Sequence, residues 1–301
     1  MEAKVLVAFI AGGLAGTCVA SSMFSRRDLL VQRFGVGGIA GSSPLRPREG
    51  IPERDPPRRK RDELLAEQFT RNTQFFGTEG QRQVADAFVI VVGLGGVGSH
   101  CAHMLLRSGV SRLRLVDFDQ VSLSSLNRHA VATREDVGIS KVDCLKTHFG
   151  RIYPEASLDC RTTMYEKSVE EELLGGAPDF VIDCIDNIDT KVDLLAACVR
   201  RSIPVLACGG AGAKCDPTRV RIVDLAESVV DPLARAVRHR LRRVHGIEAG
   251  IPVLLSTEKQ KCDLVRVIDS PVSTFIDTCL TRLSLRRSCD TTHILIMYTT
   301  I

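Results

Sequence analysis

Apolar and polar positions divide the chain into unlike stretches. Residues 5–24 (VLVAFIAGGLAGTCVASSMF) form a 20-residue run without a charge, long enough to span a bilayer as a helix. Lys4 precedes it and Arg26, Arg27 and Arg33 follow, so the basic excess places the C-terminal flank in the cytosol. The expectation is a single transmembrane helix anchoring residues 1–30, with the body facing the cytosol; a cleaved signal ending at Val19-Ala20-Ser21 is the alternative. Residues 31–61 read as a Pro/Arg-rich linker, because residues 44–61 hold seven basic residues and five of the twelve prolines, a composition that stays solvated.

From Lys60 onward the pattern is globular. Residues 62–69 and 81–87 predict amphipathic helices. Phe88-Val-Ile-Val-Val92 is a short continuous apolar run, the mark of a strand buried on both faces. Residues 113–117, 179–185 and 204–208 predict further strands. Helices are expected over 139–153, 190–201 and the stretch between Ser99 and Gly109. Strand–helix alternation of this kind implies an α/β domain over 62–262, a doubly wound and mostly parallel sheet with helices on both faces. Ligands in such sheets sit beyond the carboxyl ends of the strands. Gly93-Leu-Gly-Gly-Val-Gly98-Ser99, Asp117, Asp186 and Gly209-Gly210 all fall there.

Composition narrows the field. Charge is nearly balanced, 40 basic against 36 acidic residues, so no basic field covers the molecule. Tryptophan is absent and aromatics are 5%, which argues against a stacking platform for single-stranded nucleic acid. The 11 cysteines contain no C-x-x-C pair, so neither a disulfide framework nor a paired-cysteine zinc site is indicated.

The glycine loop has a mechanism. Gly93 permits a tight turn, Gly95 and Gly96 let a phosphate approach the backbone, Gly98 lets helix and strand pack, and the helix N-terminus offers free N–H groups to an anion. Asp117 follows where an acid binds ribose hydroxyls. The choice of nucleotide comes from Asn127, Arg128 and Lys141, placed to grip a triphosphate, and from Asp186, placed to hold Mg²⁺. That is equipment for adenylyl transfer; hydride transfer needs no such cluster. Residues 232–245 (PLARAVRHRLRRVH) predict an amphipathic helix packed through Leu233, Val237, Leu241 and Val244. Its far face, Arg235, Arg238 and Arg242, is either suited to a phosphate backbone or an ordinary solvated face.

The G-x-G-G-V-G-S loop, Asp117-x-Asp119, Leu126-Asn127-Arg128, Lys141 and Ile185-Asp186-Asn187 together resemble the ubiquitin-activating, ThiF/MoeB-type adenylating superfamily, which has a Rossmann-like fold. Gln68-Phe-Thr-Arg71-Asn72, Gly209-Gly-Ala-Gly212, Asp216-Pro217-Thr218, Asp231-Pro232-Leu233 and Ser256-Thr-Glu258 resemble its tRNA threonylcarbamoyladenosine dehydratase group, the TcdA/CsdL type, and in particular the membrane-anchored fungal forms. The resemblance implies that ATP–Mg²⁺ activates the carboxylate of threonylcarbamoyladenosine in tRNA, which then cyclises with loss of water. It assigns the glycine loop, Asp117, Asp119 and Asn187 to the nucleotide, Arg71, Asn127, Arg128 and Lys141 to its phosphates, and Asp186 to the metal. It further implies a homodimer in which Arg71 reaches the neighbouring subunit's site, an anchor in the mitochondrial outer membrane, and a sulfur-relay partner.

Two departures bear on this. His129 stands where many relatives have Gln, either as a hydrogen-bonding loop residue or as a ligand. The chain lacks the paired C-x-x-C zinc ligands of many superfamily members. An activating enzyme for a ubiquitin-like modifier or sulfur carrier, the alternative, would need a nucleophilic cysteine, for which Cys215 and Cys262 are the candidates; Cys208 reads as core. Residues 263–301 contain no Gly, Ala, Lys or Glu, which supply 71 of the first 262 residues. They are expected to be an atypical tail, and a catalytically weak nucleotide-binding form is the further alternative.

Overall fold

A computed structural model describes residues 58–259. The expected anchor, most of the linker and the 263–301 tail lie outside the described residues. Among the described residues no helix is long and apolar enough to cross a membrane.

The chain enters through two helices, α1 (Arg58–Gln68) and α2 (Thr70–Asp86). It then alternates: β1 (Phe88–Val92), α3 (Gly96–Arg107), β2 (Arg112–Val116), α4 (Lys141–Ile152), β3 (Ser157–Arg161), α5 (Glu170–Leu174), β4 (Phe180–Asp183), α6 (Ile188–Arg200), β5 (Val205–Cys208), β6 (Val220–Asp224), α7 (Pro232–Arg240) and β7 (Pro252–Ser256). The seven strands form one sheet in the order β3-β2-β1-β4-β5-β7-β6. Every pairing is parallel except β6 with β7. The order reverses direction between β1 and β4, the crevice where doubly wound sheets hold ligands.

Central strands form where apolar runs can be buried on both faces. All five residues of β1 are buried, and each aliphatic side chain so placed contributes about 1.5–3 kcal/mol of burial free energy. One core layer joins β1 and β2 to α3 and α4 through Val89, Val91, Leu105, Leu113, Leu145 and Phe149. The opposite layer joins Ile90, Val92 and Val181 to α6 and α7 through Leu194, Leu195 and Val237.

The sequence pattern missed β3, β6, β7 and α5. β3 is Ser-Leu-Asp-Cys-Arg and β6 is Val-Arg-Ile-Val-Asp, and neither is more than half-buried. Both are edge strands, where polar side chains are tolerated and the apolar signal fades. Arg114 is a charged residue inside β2, yet it is buried. Its Nε donates to Asp159 Oδ2 at 2.7 Å and its Nη1 to the carbonyls of Leu173 and Gly175 at 2.9 and 2.8 Å. It thereby satisfies the C-terminal carbonyls of α5, which have no intrahelical partner.

The basic segment also differs from expectation. α7 ends at Arg240 and a π-helical turn, Leu241–His245, follows. The wider turn changes the angular register, so Leu241 stays buried while Val244 is 63% exposed. Ala234 takes a place in the buried stripe instead.

Candidate active site

The mouth of the sheet is built around the turn from β1 into α3. Gly93 has φ +88°, and a Cβ there would lie 2.8 Å from the Cys184 carbonyl oxygen. A Cβ on Gly98 would fall inside the van der Waals envelope of the Gly93 carbonyl oxygen. The two glycines let α3 start directly on the end of its own strand, against the end of β4. α3 has Gly95 as N-cap and no capping side chain, so its first N–H groups remain for an anion. The space beside Gly95 is open to 4 Å, whereas the aliphatic part of Arg128 lies along Gly96, with Cδ 3.1 Å from where a Cβ would be. The cradle therefore has an open phosphate side and one wall made by an arginine.

Asp117 has a role that spacing did not reveal. It follows β2 and is buried. Its Oδ2 accepts from Leu94 N at 2.6 Å and its Oδ1 from Asp119 N at 2.8 Å. Both oxygens are thus engaged by backbone, so Asp117 latches the glycine loop before it does anything to a ribose. Burial raises its pKa, which these two N–H groups and nearby Lys141 oppose. Asp119 is the acid left at the surface. Its Oδ2 accepts from Lys141 Nζ at 2.7 Å, and Lys141 Nζ is 3.8 Å from Asp117 Oδ2. Lys141 is the first residue of α4, positioned by the Ser140 cap and by its own N–H donating to Asp119 O at 2.9 Å. The lysine therefore sits over the loop, held between two carboxylates.

Arg128 Nη1 donates to Ser124 O at 2.8 Å and to Asn127 Oδ1 at 3.2 Å; Arg128 borders the loop at Gly96, and Asn127 bonds to Arg128. His129 is buried; its Nδ1 accepts from Ala132 N at 3.1 Å, so its neutral form carries the proton on Nε2. Burial, with Lys141 beside it, lowers its pKa to about 4. Its Nδ1 thus bonds within the 129–132 turn, while its buried Nε2 has no hydrogen-bond partner among the described residues.

On the β4 side, Cys184 N donates to Val92 O at 2.8 Å, which brings residues 184–187 against Gly93. Asp186 is exposed, with no hydrogen bond or ion pair among the described residues. Asn187 caps α6, its Oδ1 accepting from Asp189 N and Thr190 N, so its amide oxygen is already committed. Beneath them Asp183 and Lys191 form a buried ion pair at 2.7 Å, and Lys191 Nζ also donates to Ile185 O at 3.0 Å. Sequence reasoning passed over this pair. Its signal was a lysine three residues into an apolar helix and an acid ending an apolar strand. The pair fixes the turn that presents Asp186. Mg²⁺ takes carboxylate, phosphate and water oxygens, and the unengaged Asp186 carboxylate fits that requirement.

Two expected residues are placed otherwise. Arg71 lies on α2, which packs against the opposite end of the sheet: neighbouring Asn72 donates to Ser108 O beyond the C-terminus of α3, and Phe69 stacks edge-on with Tyr153 after α4. Arg71 itself donates to Gln74 Oε1 at 2.9 Å. Within one chain it does not join the site. Arg238 does not share the exposed face of α7, because its Nη1 donates to Ala226 O and Ser228 O at 2.9 and 2.6 Å and ties the helix to the chain after β6. Arg235 and Arg242 remain exposed, the first donating to Val229 O and the second paired with Glu248 at 3.3 Å.

Beyond β5, the 209–216 loop wraps two buried carboxylates. Asp231 accepts from Gly210 N at 2.7 Å and from Lys214 Nζ at 3.2 Å. Glu258 accepts from the N–H groups of Cys215 and Asp216 and from the Cys215 thiol. Cys208 is core, as expected, with its Sγ 3.6 Å from that of Cys184. Cys262 lies outside the described residues. A cavity of about 350 Å³ opens elsewhere, among Lys167, Glu170, Asp193, Arg200 and His245. Its carboxylates are paired with its own cations, and it is remote from the glycine loop.

The chain is 44% identical over 212 residues to tRNA threonylcarbamoyladenosine dehydratase 2 of Saccharomyces cerevisiae, a match covering 70% of this chain and 47% of that protein. It is 39% identical over 194 residues to tRNA threonylcarbamoyladenosine dehydratase of Bacillus subtilis, covering 64% and 76% respectively. It thus spans about half the length of the yeast relative. The fold matches the crystal structure of Escherichia coli tRNA N6-threonylcarbamoyladenosine dehydratase, TcdA, in complex with ATP, with TM-score 0.64 at 32% identity, over 66% of this chain and 84% of that one. The ThiF family model matches residues 69–251, a span that encloses the glycine loop, Arg128, Lys141 and Asp186, and the chain therefore belongs to the ThiF family.

Proposed function

We propose that this protein is an ATP-dependent tRNA threonylcarbamoyladenosine dehydratase. The observation that carries the reading is the uncapped N-terminus of α3, open beside Gly95 and walled by Arg128, with Lys141 above it and unengaged Asp186 across from it. A nucleotide triphosphate fits this cradle: first-turn N–H groups meet one phosphate, and Arg128 and Lys141 neutralise the others. Lys141 would exchange Asp119 for phosphate as the nucleotide enters. Asp186 would hold Mg²⁺, which would supply Lewis-acid stabilisation of the leaving pyrophosphate. The substrate carboxylate attacks the α-phosphate and pyrophosphate leaves. The threonylcarbamoyl group then closes on its activated carbonyl and AMP departs.

The 209–216 loop, set by Asp231 and Glu258 beside the C-terminal end of β5, is the natural wall for the modified adenosine. Arg235 and Arg242 are the exposed cations left for the tRNA backbone. Arg71 completes a neighbouring subunit's site in a homodimer, since its own is out of reach. Residues 5–24 anchor the chain in a membrane, with the mitochondrial outer membrane as the site and the body in the cytosol, and a sulfur-relay protein is a further partner.

The test is nucleoside analysis of tRNA incubated with the protein and ATP. Conversion of threonylcarbamoyladenosine to its cyclic form, with AMP released, is the expected result. ATP–pyrophosphate exchange that depends on a small modifier protein, with tRNA unchanged, would favour the activating-enzyme reading instead.

A further inference from the structure

We propose that Asp136, Cys144 and His148 form a binding site for a thiophilic divalent cation, Zn²⁺ by the chemistry of its donors, behind the helix that carries Lys141. Cys144 and His148 stand four residues apart on α4, so one helix face presents both. Asp136, at the end of the 3-10 turn Arg134–Asp136, faces them, and its Oδ2 is 3.0 Å from His148 Nε2. One ligand atom from each of the three lies within 4.8 Å of the other two, and among the described residues this is the one group of three such donors. Zinc bonds of about 2.0–2.3 Å to oxygen, nitrogen and sulfur place ligand atoms in that range of one another.

The donor set is one sulfur, one nitrogen and one oxygen. A thiolate and an imidazole suit Zn²⁺ and are poor partners for Mg²⁺ or Ca²⁺, which take oxygen. Cys144 and Asp136 are buried and His148 is half-buried, so the imidazole edge is the entry side. Three protein ligands leave a fourth position for water. His129 is not a fourth ligand, because its Nδ1 accepts from Ala132 N and its Nε2 holds the proton. The adenylating chemistry uses none of the three donors.

Binding moves protons and no electrons. Cys144 gives up its thiol proton to solvent, and the cation replaces the proton that His148 Nε2 shares with Asp136, leaving the imidazole protonated on Nδ1. The consequence is mechanical. The turn bearing Asp136 continues from the Asn127–Arg128 segment, and α4 begins at Lys141. A bound cation therefore ties the two phosphate-gripping elements together from behind.

The full chain, freed of metal under reducing conditions, would be titrated with Co²⁺ and then with Zn²⁺ in competition. The expected result is one equivalent with thiolate-to-cobalt charge-transfer absorption, lost in Cys144→Ser, and Zn²⁺ affinity lowered at least about tenfold in His148→Ala. His148 is partly exposed, so its variant keeps the test available if Cys144→Ser does not fold. No thiolate–cobalt absorption in the wild type would overturn the proposal. So would unchanged affinity in His148→Ala, which would assign the metal to other cysteines.

Discussion

A methyl group on Gly98 would collide with the carbonyl of Gly93, five residues earlier in the chain. Gly98→Ala is therefore expected to push α3 off β1 and abolish ATP binding, read by equilibrium dialysis with labelled ATP; retained binding would mean that the turn relaxes. At Lys141 and Asp186 the expected loss is chemical and not structural. Lys141→Ala and Asp186→Ala should each lower ATP–pyrophosphate exchange by about 10²–10³, the usual cost of one charged contact to a reacting phosphate, with the circular dichroism spectrum unchanged. His129 makes a pH-dependent contribution. Burial beside Lys141 holds its pKa at about 4 in the folded chain, against about 6.5 when unfolded. The unfolded chain takes up the proton first as pH falls. Stability is thus complete above about 6.5 and declines toward pH 4 at about 1.4 kcal/mol per unit. Half-buried His103, also near 4, adds to the slope. Urea midpoints at pH 7.5 and 5.0 should differ less in His129→Gln than in the wild type, and equal differences would remove His129 from the account.

Two elements owe their positions to charges inside the fold. The β4–α6 turn that presents Asp186 is held by the Asp183–Lys191 pair, nearly inaccessible on both sides. Removing one partner of such a pair leaves a buried charge and costs about 3–5 kcal/mol. Lys191→Met should lower the melting temperature sharply. Asp183→Leu with Lys191→Met should recover much of the loss while still misplacing Asp186, so stability and exchange activity would part company. A double variant as unstable as the single one would show that the pair is not the cause. α7 gives a second case: Arg238 points back to carbonyls of the 225–228 turn, so one of the three arginines expected on a free face bonds the helix to the body while Arg235 and Arg242 stay exposed.

For the molecule as a unit, Arg71 is the revealing residue, since it belongs to the far end of its own sheet. If two subunits complete each other's sites, Arg71→Ala and Lys141→Ala should each be inactive alone. Mixing and re-equilibrating them should restore up to about a quarter of wild-type exchange, because half the dimers are mixed and each holds one intact site. No recovery on mixing would place Arg71 outside catalysis. Removal of residues 1–30 should release the protein from membranes under alkaline carbonate extraction and leave ATP binding unchanged; a full-length chain that extracts equally well would dispose of the anchor.

The alternation of apolar runs and amphipathic stretches was enough to specify a parallel, doubly wound sheet and to put the glycine loop, Lys141 and Asp186 at one end of it, because burial on both faces demands continuous Val/Ile/Leu strands and strand ends then fall at known positions. The glycines were legible for a related reason: only residues without a Cβ allow that turn. Edge strands β3 and β6 were not legible, since half-exposed positions carry no apolar run. Nor were the partners of charged groups. Asp117 accepts two backbone N–H groups that its spacing does not announce, Arg238 looks solvated yet is tied to carbonyls, and Lys191 finds Asp183 across the turn. Those outcomes depend on which polar atoms the packed chain brings within about 3 Å of one another, a property of the assembled sheet and its layers that local pattern does not contain.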